Sequence, residues 1–419
     1  MPRFLISTMD AAGHVHPALP VAKALVERGH SVRWHVGAKY RALVENTGAT
    51  WVEPRRTPTF DELPPVPDPG LREPKAGFSA LRKLLVERMA GQVADYEELM
   101  PFDGLIVDLC SLGGQGLYER HGTPWATLGI SPLTAPAPDI PRFGTGAPPP
   151  SNAFSRRMNA LTMKAMTALG PLVMKDLNEA YVSTRAALGL KPLPRGANVF
   201  WHMQSPMLHM QAATPAIEYP RRHWPANVHF VGPLLPPATT AALPEWWAEL
   251  DSAKAVVHVT QGTVATDPSI LTKPALAGLA SFDGLVVVTS PHDLGPVPAN
   301  TRVAEFIPHS LLLPKVDAMV TNAGYNGVKM ALSHAVPLVM APWGNDQPDV
   351  AGRIAWAGAG VNLRKRTPSP GAIRQGVATV LDGSYHQAAR RIQAEFREYP
   401  DGSRAAHLLE ELVGAQIHP

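Results

Sequence analysis

Residues 321–347 read Thr-Asn-Ala-Gly-Tyr-Asn-Gly-Val-Lys-Met-Ala-Leu-Ser-His-Ala-Val-Pro-Leu-Val-Met-Ala-Pro-Trp-Gly-Asn-Asp-Gln. The pattern is a glycine and asparagine loop entering a helix, then a buried strand, then a polar pair where the strand ends. Such a loop presents several backbone N–H groups at a helix N-terminus, where the partial positive charge of the helix dipole favours a phosphate. Asp346 and Gln347 lie one strand further on and are expected to face the same crevice. A phosphate seat beside hydroxyl-binding groups points to a nucleotide sugar.

Working outward, the same alternation runs through the second half, with strands predicted at 255–260, 285–289, 302–306, 318–321 and 338–341 and helical segments between them. In the first half, a strand at 3–8, an amphipathic helix at 17–28 ended by Gly29, and a strand at 31–36 make a β-α-β unit, the building block of parallel sheets. A further strand at 104–107 is followed by a Gly113-Gly114 turn and a helix at 115–120. The expected fold class is therefore α/β, with two doubly wound Rossmann-like domains, 1–232 and 238–399, joined by the proline-rich linker 233–237. Two proline-rich stretches, 54–74 and 132–150, are too long for hairpin turns, and loops of that length in compact domains are usually functional. The helical region 156–188 carries Met158, Met163, Met166 and Met174, a spacing expected of core filler. The last segment, 403–416, carries Ala406, Leu409, Leu412 and Val413 at helical spacing.

At 419 residues the chain exceeds one ordinary core, in keeping with two domains of about 200 residues each. Apolar residues form 45% and charged residues 17%, so large cores are available and a disordered chain is excluded. The net charge of +3, without a block of Lys or Arg, argues for a small-molecule ligand over nucleic acid. With Cys110 as the only cysteine no internal disulfide forms, and a reducing, cytoplasmic setting is expected. The apolar run at the start is too short for a signal-peptide core, and no stretch is apolar enough to predict a membrane span.

Four segments, spanning the chain in the right order, resemble glycosyltransferase family 1: Ala12-Gly13-His14-Val15-His16-Pro17; Val257-His258-Val259-Thr260-Gln261-Gly262-Thr263; Phe306-Ile307-Pro308-His309; and the 321–347 run. These enzymes have the GT-B fold and move a sugar from a nucleotide diphosphate, with inversion, to small lipophilic acceptors. The resemblance implies that His14 is the general base and Asp108 the acid that orients it. It further implies that Thr263, Asn322, Gly324, Asn326 and Gly327 surround the diphosphate, that Phe306 and His309 hold the base, and that Asp346 and Gln347 bind sugar hydroxyls. A final helix at about 400–419 that packs back onto the first domain, and a cleft between an acceptor domain and a donor domain, follow from the same likeness. UDP-glucose is the favoured donor, with a dTDP-deoxysugar as the other choice, and the acceptor is of polyketide, macrolide or flavonoid type. No metal and no cofactor beyond this co-substrate is implied.

The residues read by themselves agree. His14 falls after the first strand, at the carboxyl end of a parallel sheet, where open α/β sheets place their ligands. There it would deprotonate an acceptor hydroxyl as that oxygen attacks the anomeric carbon. His14 and His16 also form a His-x-His pair, but no carboxylate or further histidine nearby in sequence completes a metal site. Three positions depart from the family pattern: Asn322 replaces a histidine, Met330 replaces the acid that holds the ribose, and Ala335 replaces a glycine. Ala335 is expected to mark a helix end with ordinary backbone angles.

An oxidoreductase is disfavoured, because its first turn requires Gly-x-Gly-x-x-Gly and residues 9–14 read Met-Asp-Ala-Ala-Gly-His. A nucleotide-sugar epimerase shares the topology, and a catalytically silent auxiliary protein would share the scaffold. Retention of His14, Asp108, Asp346 and Gln347 together favours the enzyme.

Overall fold

The computed structural model describes residues 1–59, 79–194, 197–238, 241–262 and 267–414. Most of the proline-rich stretch 54–74 and Thr263 lie outside the described residues. Two parallel sheets organise the rest. The first holds β1 (Arg3–Ser7), β2 (Ser31–His35), β3 (Thr50–Val52), β4 (Gly104–Asp108), β5 (Trp125–Gly129), β6 (Leu208–Gln211) and β7 (Val228–Phe230), in the order β3-β2-β1-β4-β5-β6-β7. The second holds β8 (Val256–Thr260), β9 (Leu285–Thr289), β10 (Thr301–Ala304), β11 (Ala318–Thr321), β12 (Leu338–Met340) and β13 (Gly360–Asn362), in the order β10-β9-β8-β11-β12-β13. The central strands are buried almost throughout, because helices cover both faces of a parallel sheet and neither face meets water.

Strand order reverses between β1 and β4 in the first sheet and between β8 and β11 in the second. At such a switch point the loops leaving the two strands diverge to opposite faces and open a crevice beyond their carboxyl ends. His14 follows β1, Asp108 ends β4, Gln261 follows β8 and Asn322 follows β11, so both crevices carry residues singled out above. This placement is what the fold contributes to the site.

The helix Ser403–Gly414 lies against the helix Ala18–Glu27 of the first sheet, burying Ala405, Ala406, Leu409 and Val413 in the same core as Ile6, Val21 and Leu25. Glu410 on that helix pairs with Arg28 at 2.5 Å and with His30 at 2.7 Å. Among the described residues no helix is long and apolar enough to cross a membrane.

Several expectations need correction. Gly113 and Gly114 open the helix Gly113–His121 and do not form a turn. A Cβ at Gly113 would meet Gln92 Cβ at 2.6 Å, and one at Gly114 would meet the Trp125 ring at 2.8 Å, so these glycines serve close packing. The strand expected at 302–306 ends at Ala304. The helical region 156–188 is two helices, Ala153–Val173 and Lys175–Ala187; the first starts in a capping box in which Asn152 and Ser155 satisfy each other's backbone N–H groups. Of its methionines, Met174 packs against a core cluster while Met158 is 46% exposed, so the core expectation fails for Met158. The Met166 side chain lies outside the described residues.

Ala335 is also corrected. Its φ is 58°, in the left-handed region, where the Cβ of an L-residue crowds the following carbonyl. The turn must pass from the end of Tyr325–Ser333 straight into β12, and the Val336 N–H bonds to Ala331 O at 2.9 Å. Ala335→Gly should therefore stabilise the protein by about 0.5–1 kcal/mol, the relief of αL strain less the added chain entropy. A rise in the urea unfolding midpoint with unchanged slope is the expected reading.

Candidate active site

Asp108 is fully buried and is the polar centre of the first crevice. One of its oxygens accepts the Met9 N–H at 2.6 Å and faces His14 Nδ1 at 2.9 Å; the other accepts the Cys110 N–H at 2.7 Å. Burial by itself would raise this carboxyl's pKa, but the charge and hydrogen bond of His14 and the two N–H groups hold it below the usual carboxylate range. A carboxylate can only accept, so His14 carries its hydrogen on Nδ1 and leaves Nε2 as its basic nitrogen. The His14 side chain keeps 15% of its surface open. Among the described residues, no group of three potential metal ligands includes His16. The neighbours of His14 are Asp108 and Cys110, and the donor atoms of the three all lie within 4.8 Å. A thiol thus stands beside the His–Asp pair, and burial raises its pKa.

In the second crevice the helix Tyr325–Ser333 starts at Gly324 without a side-chain cap. A helix start of this kind leaves first-turn N–H groups that could meet an anion. Asn322 is buried and its amide donates to Gln261 O at 2.7 Å, while its oxygen accepts the Gly324 N–H at 3.3 Å. It thus braces the loop after β8 against the loop after β11. Asn326 reaches across the cleft and donates to Gly13 O at 3.1 Å, bringing the seat beside His14. Gly327 lies near His309, whose Cε1 would be 3.9 Å from a Cβ there.

Phe306 is 75% exposed, so its ring face is open to stacking. His309 sits edge-on to His258, with ring centroids 5.5 Å apart. Burial, with a smaller contribution from His334, lowers its pKa to about 4. It is therefore neutral at pH 7.

Asp346 is half-buried at the start of the helix Gln347–Trp356. Burial raises its pKa to about 6, with Asp349 adding to the rise and His14 and Lys329 opposing it. Gln347 is turned inward, its oxygen accepting the Trp343 N–H at 2.9 Å and the Gly344 N–H at 3.4 Å. Only its amide remains for a sugar. Met330 packs in the core at 8% exposure, so nothing at that position can accept a hydrogen bond from a ribose.

Residues 273–412 fit the family model described as erythromycin biosynthesis protein CIII-like, C-terminal domain. Over 98% of this chain and 99% of the other, the sequence is 40% identical to 4'-demethylrebeccamycin synthase of Lentzea aerocolonigenes. The chain belongs to glycosyltransferase family 1. The glycosyltransferase also shares its GT-B fold with the solved glycotransferase of kitacinnamycin, at a TM-score of 0.75 and 20% identity over 98% of this chain and 99% of that one. Spinosyn rhamnosyltransferase SpnG complexed with thymidine diphosphate matches at a TM-score of 0.68 and 22% identity, over 97% and 100% of the two chains.

Sequence reading missed two charged groups near this site. Lys329 is completely buried, donates to Ala212 O at 3.0 Å across the junction of the two sheets, and lies 4.8 Å from the Tyr325 ring centroid. Burial lowers its pKa to about 7. Its signal was present: it falls on the same helical face as Tyr325, Val328 and Leu332, all apolar or aromatic. The second, Arg353, carried no such signal.

The raised pKa of Asp346 gives the glycosyltransferase a defined pH response. An acid whose folded pKa lies above its unfolded value binds more protons when folded, so stability rises as pH falls through the window between about 6 and about 4. Asp346→Asn removes this group's titration. Its stability gain over the parent, measured by urea unfolding, should be larger at pH 7 than at pH 4.5.

Proposed function

We propose that this glycosyltransferase moves a hexosyl group, with inversion and without a metal, from a nucleotide diphosphate sugar to a hydroxyl of a small lipophilic acceptor. The observation that carries this reading is the His14–Asp108 pair at 2.9 Å facing the uncapped helix start at Gly324 across the Asn326–Gly13 hydrogen bond. A base and a phosphate seat on opposite sides of one cleft suit in-line displacement at an anomeric carbon. Residues 1–232 would supply the acceptor side and 238–399 the donor side. His14 Nε2 takes the acceptor proton as the new bond forms, and ionised Asp108 stabilises the resulting imidazolium. On the other side of the sugar, the leaving diphosphate gathers charge where first-turn N–H groups and the helix dipole meet it. Asn322 contributes by holding the loops, since its amide is engaged with Gln261.

Asp346 and the Gln347 amide would hold sugar hydroxyls, with the ionised carboxylate making the stronger contact. This pair favours UDP-glucose. A dTDP sugar is a second reading, favoured by Met330: a deoxyribose lacks the 2'-hydroxyl that this apolar position cannot bind.

His14→Ala should lower the transfer rate at least about a hundredfold, the scale of general-base contributions, and an unchanged rate on a hydroxyl acceptor would refute the mechanism. Asp346→Ala should weaken binding of a nucleotide sugar while leaving the bare nucleotide diphosphate nearly unaffected. A thermal-shift comparison of UDP-glucose, a dTDP sugar and the two bare diphosphates separates recognition of the base from that of the sugar.

A further inference from the structure

The loop 131–150, which joins β5 to the helix Ala153–Val173, leaves the first sheet but is not held by it alone. Arg353, on the helix that Asp346 and Gln347 begin, is 3% exposed and lies far inside the junction of the two sheets. Its Nε donates to Glu218 Oε2 at 2.7 Å, and its Nη2 donates to Leu133 O at 3.3 Å. Glu218 Oε1 in turn accepts the Leu133 N–H at 2.7 Å. One turn earlier on the helix, Asp349 accepts the Gly144 N–H at 2.5 Å. A Cβ at Gly146 would come within 2.5 Å of Pro348 O, so the loop backbone lies directly on the helix start. Tyr219, next to Glu218, donates to Ala147 O at 2.9 Å, with its ring 4.6 Å from the Arg353 guanidinium carbon.

We propose that Glu218, Arg353 and Asp349 are positioning residues that clamp the 131–150 loop between the sheets, so that the acceptor-side wall of the cleft is set by the helix bearing the sugar-contacting pair. The inference rests on the proposed function for its account of which side is which. Among the described residues, neither Arg353 nor Glu218 is hydrogen-bonded to the His14–Asp108 pair. Their effect is carried by the loop: two of the loop's N–H groups and one of its carbonyls are satisfied by this cluster. A buried Arg–Glu pair is weak evidence of added stability, because desolvation offsets much of the attraction, whereas its fork geometry does fix where the partners lie. Since Asp346 and Gln347 begin the same helix, any shift of that helix on sugar binding moves Asp349 and Arg353 with it, and the loop follows.

The test uses the full chain with the buried charges removed together, Glu218→Met/Asp349→Asn/Arg353→Met, because Arg353 also lies 3.7 Å from the buried Asp349 carboxylate and removing only the Glu218–Arg353 pair would strand it. Asp349→Ala, which releases the Gly144 end and the longer ion pair with Arg353 but keeps Glu218–Arg353, serves as the milder variant if the triple variant does not fold. Arg142 is exposed within the loop and gives trypsin a reporter bond that does not depend on catalysis. Cleavage after Arg142, read by fragment mass, should accelerate at least about tenfold as local opening becomes easier. The acceptor KM should rise at least about fivefold, while kcat and the Kd of bare UDP or dTDP change by less than about twofold. Unchanged cleavage would show that these residues do not hold the loop. Faster cleavage with an unchanged acceptor KM, or equal losses in acceptor KM and diphosphate Kd, would overturn the positioning role. Should the parent protein transfer no sugar at all, the proposed function fails, and the cleavage rate by itself decides the clamp.

Discussion

The buried carboxylate of Asp108 is the constraint on which the candidate site depends. A carboxylate with no exposed surface is costly unless its lone pairs are filled, and here they are filled by the backbone on either side of it and by His14. Met9 belongs to the loop after β1 and Cys110 to the loop after β4, so one side chain ties the two loops that diverge at the switch point. The same interaction orients the imidazole and leaves its second nitrogen open. Fold and site geometry thus share a single group: loss of Asp108 would loosen the loop and release the His14 imidazole together.

The second crevice repeats this logic with a neutral residue. Asn322 ties the loop after β8 to the loop after β11 and thereby shapes the uncapped helix start. The two crevices face each other because residues reach across: Asn326 to Gly13, Lys329 to Ala212, and Arg353 to Glu218. Two of these three contacts engage backbone carbonyls, so they depend on chain position more than on partner side chains. The third is a charge pair, and with it the cleft holds groups whose ionisation depends on burial, Asp346 and Lys329 among them.

Much of the scaffold was legible in the sequence. Alternating apolar runs and amphipathic segments mark β-α-β units whatever the tertiary context, and loops at strand ends placed His14, Asp108 and the 321–347 run correctly relative to their strands. Less legible were the places where packing overrides local preference. Gly113 and Gly114 look like a turn but lie in a helix, where Gln92 and Trp125 leave no room for a Cβ. Ala335 looks like an ordinary helix end but is left-handed because the chain must turn at once into β12. Asn322 and Gln347 read as ligand-facing, whereas each spends polar atoms on neighbouring backbone.

The sequence by itself determined the two wound sheets, their order, and the strand ends that carry the site, because hydrophobic periodicity and turn chemistry are local properties. Only the tertiary structure decided which polar atoms remain free, which aromatic is exposed, and which charges are buried. Those outcomes depend on neighbours more than a hundred positions away, as with Arg353 and Glu218 or Lys329 and Ala212. No pattern along the chain encodes such a distance; it exists only once both sheets are packed and water has been excluded between them.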